Sequence, residues 1–146
     1  MNIKNPTETV LYLVEKAIKD YRRISQKNIK EVINDITIDQ CLVLMILDKK
    51  LVSSQKEIAQ LIYKDYASVT RMIELMVNKN YLIRNIHSSD RRKFNLEISE
   101  KGRKSLLLIS PIIQENRKNA LNGLSQEEIS QLEELLKKII SNCKIK

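Results

Sequence analysis

Residues 54–84 read SQKEIAQLIYKDYASVTRMIELMVNKNYLIR, and the hydrophobic pattern changes twice inside that stretch. Ser54 followed by Glu57 has the form of a capping box, which opens a short helix through Ile58, Ala59, Leu61 and Ile62. Asp65 then caps a second helix, in which Val69, Met72, Ile73, Met76 and Val77 form the buried stripe. Ser68, Thr70, Arg71, Glu74 and Leu75 are left on or beside its outer face. Asn80 stands where this helix should stop, and Asn tolerates the left-handed conformation of a helix end. Beyond it the period falls to two, with Leu82, Arg84 and Ile86 in one run and Phe94, Leu96 and Ile98 in the next. Two antiparallel strands are predicted. The polar, basic connection His87-Ser88-Ser89-Asp90-Arg91-Arg92 makes them a hairpin with a solvated tip.

Reading outward from this stretch, helices predominate. Thr37 with Gln40 is another capping box, and the run Cys41 to Leu47 behind it is apolar nearly all round, so that helix should be central. From Thr7 a long first helix carries Val10, Leu13, Val14, Ala17, Ile18 and Tyr21 on one stripe, which must be buried on something. Ser99 caps a fifth helix that Pro111 should bend and Gly123 should break. Ser125 with Glu128 opens a last helix whose stripe is Ile129, Leu132, Leu135, Leu136 and Ile139. With only two Gly and two Pro in 146 residues and an apolar content of 42%, the fold class is mostly α with a small β-hairpin wing.

The formal charge of +8 favours a polyanionic partner, nucleic acid or an anionic membrane surface. Its distribution is informative. From Lys79 to Lys104 eight cations face three anions, whereas Asp35 to Asn78 holds five cations and six anions. Most of the excess therefore belongs to the wing region. The longest apolar runs fall far short of the roughly 20 residues of a membrane span, and no basic-then-apolar leader opens the chain, so a cytoplasmic protein with no membrane partner is expected. Cys41 and Cys143 are too far apart in sequence for a metal pair, and with the lone His87 they leave no metal site and no cofactor site to expect. No nucleophile with its base and no glycine-rich phosphate loop is present, which argues against an enzyme.

A short helix, a tight turn, a second helix and a basic hairpin follow the order of a winged helix-turn-helix, whose second helix enters the DNA major groove. Small polar residues at the start of that helix allow close approach to phosphates and base edges, and Ser68, Thr70 and Arg71 meet that need. A wing must place a cation on a phosphate or in a narrow minor groove, and Arg91 and Arg92 are placed for it. Ser54, Lys56, Arg84 and Lys93 join them as candidate DNA-binding residues.

These residues resemble the MarR family of transcriptional regulators. The resemblance runs from about Thr37 to Leu106, through Thr37-Ile38-Asp39-Gln40, Glu57-Ile58-Ala59, Asp65 with Ser68-Val69-Thr70-Arg71, Asn80-Tyr81-Leu82-Ile83, and Asp90-Arg91-Arg92 leading to Ile98-Ser99-Glu100-Lys101-Gly102. It implies a homodimer that binds a pseudopalindromic operator in double-stranded DNA, with residues 1–34 and 105–146 as the helical dimerisation region and 35–104 as the winged helix-turn-helix domain. By position, Ser68, Thr70 and Arg71 lie on the recognition helix, and Asp90 orients Arg92 as the minor-groove arginine. Many members are released from DNA by small aromatic or amphipathic ligands, and the resemblance leaves such an effector open here. The sequence departs from the family in having Asn80 where Gly is usual, and no cysteine on the first helix. A winged helix that binds a protein instead of DNA is the alternative, since function resides in the surface. The clustered cations argue against it.

Overall fold

The computed structural model describes residues 5–52, 54–85 and 95–145. Six helices and a two-stranded sheet follow in order: α1 (Val10–Lys30), α2 (Ile38–Asp48), α3 (Gln55–Leu61), α4 (Tyr66–Asn78), β1 (Leu82–Arg84), β2 (Leu96–Ile98), α5 (Glu100–Ala120) and α6 (Gln126–Asn142). The strands are antiparallel, Leu82 facing Ile98 and Arg84 facing Leu96, and one more hydrogen bond from Asn85 to Asn95 extends the ladder. Ile86 and Phe94, expected to lengthen these strands, lie outside the described residues.

Each predicted cap sits where the sequence places it. Thr37 and Gln40 bond reciprocally at the start of α2, and Ser125 and Glu128 do so at α6. Ser54 accepts from the Glu57 amide, Asp65 from that of Ser68, and Ser99 from that of Gly102. The first helix departs slightly from expectation. A short 3-10 turn, Pro6–Glu8, precedes it and Thr9 is its cap, because Thr9 Oγ1 can satisfy the Tyr12 amide while Pro6 favours a turn start. At the far end α5 runs through Pro111 and stops at Ala120, before Gly123, which lies in the following turn at φ 88°.

Three helices end in one way, and none uses glycine. After α2, α3 and α4 the residues Lys50, Tyr63 and Asn80 take positive φ, at 52°, 58° and 65°. In each case that residue's amide bonds back to the second-last helical carbonyl region and the next amide reaches one residue further. For α4, Asn80 N bonds Val77 O at 3.0 Å and Tyr81 N bonds Met76 O at 2.9 Å. These are Schellman ends, which fold the chain sharply back and satisfy carbonyls the helix leaves open.

The core lies in the middle of the chain. Val43 and Leu44 of α2, Ile58 of α3, Val69, Ile73 and Met76 of α4, and Ile109 of α5 are all fully enclosed. Cys41 is enclosed with them, and burial pushes its thiol up to about 12, so it behaves as a small apolar side chain. The outer helices differ. Only Ser25 and Ile29 of α1 are buried, and α6 has no buried residue. The stripe expected to be covered is open on this chain, with Val10 68%, Leu13 59% and Leu135 55% exposed.

One junction joins the end of α4, the hairpin and α5. The Tyr81 carbonyl accepts from the Ser99 amide at 3.1 Å and from its hydroxyl at 3.0 Å. Gly102 packs against that same carbonyl, and a Cβ there would also come within 2.6 Å of Ile98 Cγ2. The buried Tyr81 ring donates its hydroxyl to Asp35 Oδ1 at 2.5 Å, and Lys101 Nζ sits 4.3 Å from the ring centre. The Tyr81 hydrogen bond lowers the Asp35 carboxyl below its ordinary range, and burial with Asp35 raises the Tyr81 hydroxyl.

Two outcomes are expected. Asn80→Val should destabilise by about 1–2 kcal/mol while Asn80→Gly stays near the parent, because the left-handed conformation penalises a Cβ and most of all a branched one; denaturant unfolding reads both. The stability lost in Tyr81→Phe should be level between about pH 4 and pH 10. A depressed Asp35 contributes above its unfolded pKa and loses that contribution as pH falls through the folded one, while a raised Tyr81 loses its own as pH rises past its ordinary value. Thermal unfolding of both proteins across pH checks this, and a difference that persists undiminished at pH 2 contradicts the Asp35 link.

Candidate nucleic-acid interface

The turn between α3 and α4 is built by Tyr63, whose positive φ lets Lys64 N return to Ala59 O at 3.0 Å. That reversal presents the start of α4 on the surface. Asp65 fixes it twice, accepting from Ser68 N at 2.8 Å and from Ser68 Oγ at 2.7 Å. These bonds, the hydroxyl's first, hold the Asp65 carboxyl below its usual range. Ser68 Oγ in turn accepts from Arg71 Nη2 at 3.2 Å. The guanidinium of Arg71 is therefore drawn along the helix surface toward its N-terminus, where amides and dipole favour an anion.

Thr70 is differently engaged. Its hydroxyl donates to Tyr66 O at 3.0 Å and accepts from Gln55 Nε2 at 2.6 Å. Its one proton is thus committed within the protein, and its local role is to tie α3 to α4. Gln55, which the sequence reading did not single out, is half-buried beside it. Gln55, Tyr66, Thr70, Glu74, Val77, Asn78 and Arg84 line one groove of about 600 Å³. The only sequence signal for Gln55 was its place directly after the Ser54 cap, which says nothing of the neighbour it reaches.

Of the other candidates, Ser54 is the cap of α3, Lys56 is exposed on its first turn, and Arg84 is exposed at the end of β1. Asp90, Arg91, Arg92 and Lys93 lie outside the described residues. The structure thus places Thr70 and Arg84 on one groove along α4, and pairs Ser68 with Arg71 on a different part of its exposed surface. Tyr63 and Tyr66 lie at its leading edge, 93% and 59% exposed.

The charge excess read along residues 79–104 divides in space. Lys79 Nζ donates to Asp35 O, and Lys101 Nζ to Lys79 O while covering Tyr81. Arg103 lies 3.7 Å from Asp48, and Lys104 3.3 Å from Glu100. These four cations serve the junction and α5. Arg84 is the one cation of that stretch, among the described residues, that lines the groove at the recognition helix. Contiguity in sequence overstated how many of the charges face one way.

Known proteins share this arrangement. The MarR family model matches residues 36–94, a stretch that includes α2, α3, α4 and β1. The transcriptional regulator SlyA superposes with a TM-score of 0.78 at 27% identity, over 91% of this chain and 92% of that one. BpsR of Bordetella bronchiseptica, whose DNA binding is regulated by 6-hydroxynicotinic acid, gives 0.81 at 23% over 94% and 97%. S. aureus MepR, in its complex with DNA, gives 0.82 at 22% over 96% and 100%. The MarR family model thus falls on the stretch from α2 to β1, and SlyA shares the fold over 91% of this chain.

Proposed function

We propose that the chain is a sequence-specific DNA-binding transcriptional regulator that acts as a homodimer on a pseudopalindromic operator and represses by occupying a promoter. The observation that carries this reading is the start of α4, where Asp65 holds Ser68 and Ser68 holds Arg71 on an exposed helix face, while Arg84 lines a groove along the same helix at the root of the wing. An α-helix fits the major groove, and an arginine there can make a bidentate contact to guanine worth about 1–3 kcal/mol of discrimination. Arg84 and Lys56 are assigned to phosphates, and Arg92, on its sequence position alone, to the minor groove.

Dimerisation is assigned to residues 1–34 and 105–146, and the winged domain to 35–104. The open apolar stripes of α1 and α6 support this, since a surface of that kind on a small protein marks an interface, and a palindromic site mirrors two-fold symmetry. The regulation of BpsR by a small aromatic acid supports an aromatic or amphipathic effector for this chain. The reading is non-enzymatic and places the protein in the cytoplasm with the DNA; no helix among the described residues is long and apolar enough to cross a membrane. Arg84 on the groove along α4 and Arg71 on the exposed surface of that helix favour a phosphate backbone over a protein partner.

Fluorescence anisotropy with random duplex DNA and with the promoter of the protein's own gene, at several salt concentrations, tests the proposal. Salt-sensitive binding with preference for the promoter is expected, and absence of binding to either duplex at low salt would remove it. Arg71→Ala should bring promoter affinity toward that for random DNA, a loss of about 1–3 kcal/mol, whereas Arg84→Ala should weaken both alike and reduce the salt slope by about 1. Equal losses of specificity in the two variants would contradict the division of roles.

A further inference from the structure

Asp39, in the first turn of α2, is held from two sides. Its Oδ1 accepts from Arg22 Nη2 of α1 at 2.7 Å, and its Oδ2 lies 3.3 Å from Lys64 Nζ. The carboxylate is largely covered, with 16% of its side chain exposed against 42% for Arg22 and 36% for Lys64. One side chain thus ties together α1, α2 and the turn that launches the recognition helix. Lys64 immediately precedes Asp65, the cap of α4. Arg22 belongs to the helix whose apolar N-terminal half is open on this chain.

We propose that Asp39 is a positioning residue for DNA recognition, a strut that fixes the attitude of α4 against α1 and thereby the distance between the two recognition helices of a dimer. The inference rests on the dimeric, DNA-binding reading above. Its value is geometric. Ion pairs with solvent-exposed partners contribute little to stability, but here each oxygen is committed to a different segment, so the carboxylate defines where the turn sits relative to the dimer helix. The turn's own backbone bonds, from Ile62, Tyr63 and Lys64, all return to α3 and do not supply that link. Removing the carboxylate also leaves two cations facing each other, which drives the turn away from α1.

The consequence is discrimination by operator spacing. Half-sites of a two-fold dimer lie about one helical turn apart, about 34 Å, or a multiple of it. The duplex rises about 3.4 Å along its axis per base pair, so an operator one base pair too long or short displaces one reading head by that amount and turns it by about a tenth of a turn. A rigidly held α4 cannot follow such a shift. A loosened one can.

The test uses the full-length protein and the duplex it prefers in selection from random DNA, together with versions one base pair longer and shorter at the centre. The wild type should prefer its own spacing by about 5-fold or more. Asp39→Asn and Lys64→Met should each lose most of that preference, while binding to an isolated half-site changes by less than about 2-fold, a split a phosphate-contact role would not produce. A spacing preference unchanged in both variants, with thermal unfolding showing them folded, overturns the strut. A second readout needs no DNA: nitroxides at Glu74→Cys in a Cys143→Ser background report the distance between the two α4 helices in the dimer. Asp39→Asn should broaden that distribution, and an unaltered one overturns the proposal. Should the wild type bind no duplex, the DNA reading falls by itself and the spin-label distance still decides the strut.

Discussion

The carbonyl of Tyr81 is the point on which the arrangement of recognition helix, wing and long helix depends. It is the first peptide after the reversal at Asn80, and it accepts both the amide and the hydroxyl of Ser99. Ser99 also caps α5 and bonds Asn80 O. A buried carbonyl left unpaired costs free energy comparable to a lost hydrogen bond, so the start of β1 and the end of β2 are held together at this place. Gly102 completes the constraint, because the close approach of α5 to that carbonyl leaves no room for a Cβ. The wing therefore emerges from a fixed root, although its strands are only three residues each.

Around this junction the molecule divides by how it is stabilised. The segment from α2 to the first half of α5 has a closed apolar core in which several side chains are fully enclosed. The first turns of α1 and the whole of α6 are stabilised locally, by caps and by ion pairs along the helix such as Lys16 with Asp20 and Lys19 with Glu15. Such pairs contribute a few tenths of a kcal/mol each, too little to hold long helices alone. In the homodimer proposed above, a second copy would bury the open stripes and so supply what those helices lack.

At the recognition surface, polar side chains are ordered before any ligand arrives. Asp65, Ser68 and Arg71 form a chain of bonds along α4, and Gln55 is secured on Thr70. Groups ordered in advance lose less rotamer freedom on association. Small hydroxyls here serve two ends, since Thr70 fixes the angle between α3 and α4 while Ser68 restrains an arginine.

The sequence by itself determined the elements and their order. Each cap was legible because a side chain bonding an amide three residues on is a local event, as at Thr37, Ser54, Asp65, Ser99 and Ser125. The left-handed end at Asn80 and the switch of period after it were legible for the same reason. Gln55 at the recognition groove, Asp39 bridging Arg22 to Lys64, and Tyr81 on Asp35 were not, because each joins residues more than ten positions apart. Nor did the run of cations from Lys79 to Lys104 reveal that Lys79 and Lys101 turn back to serve the junction. Local hydrogen bonds and periodicity act over one helical turn, and so are written in the order of residues. Which charges meet, and which face one groove, is decided only when the core closes and sets the helices against one another.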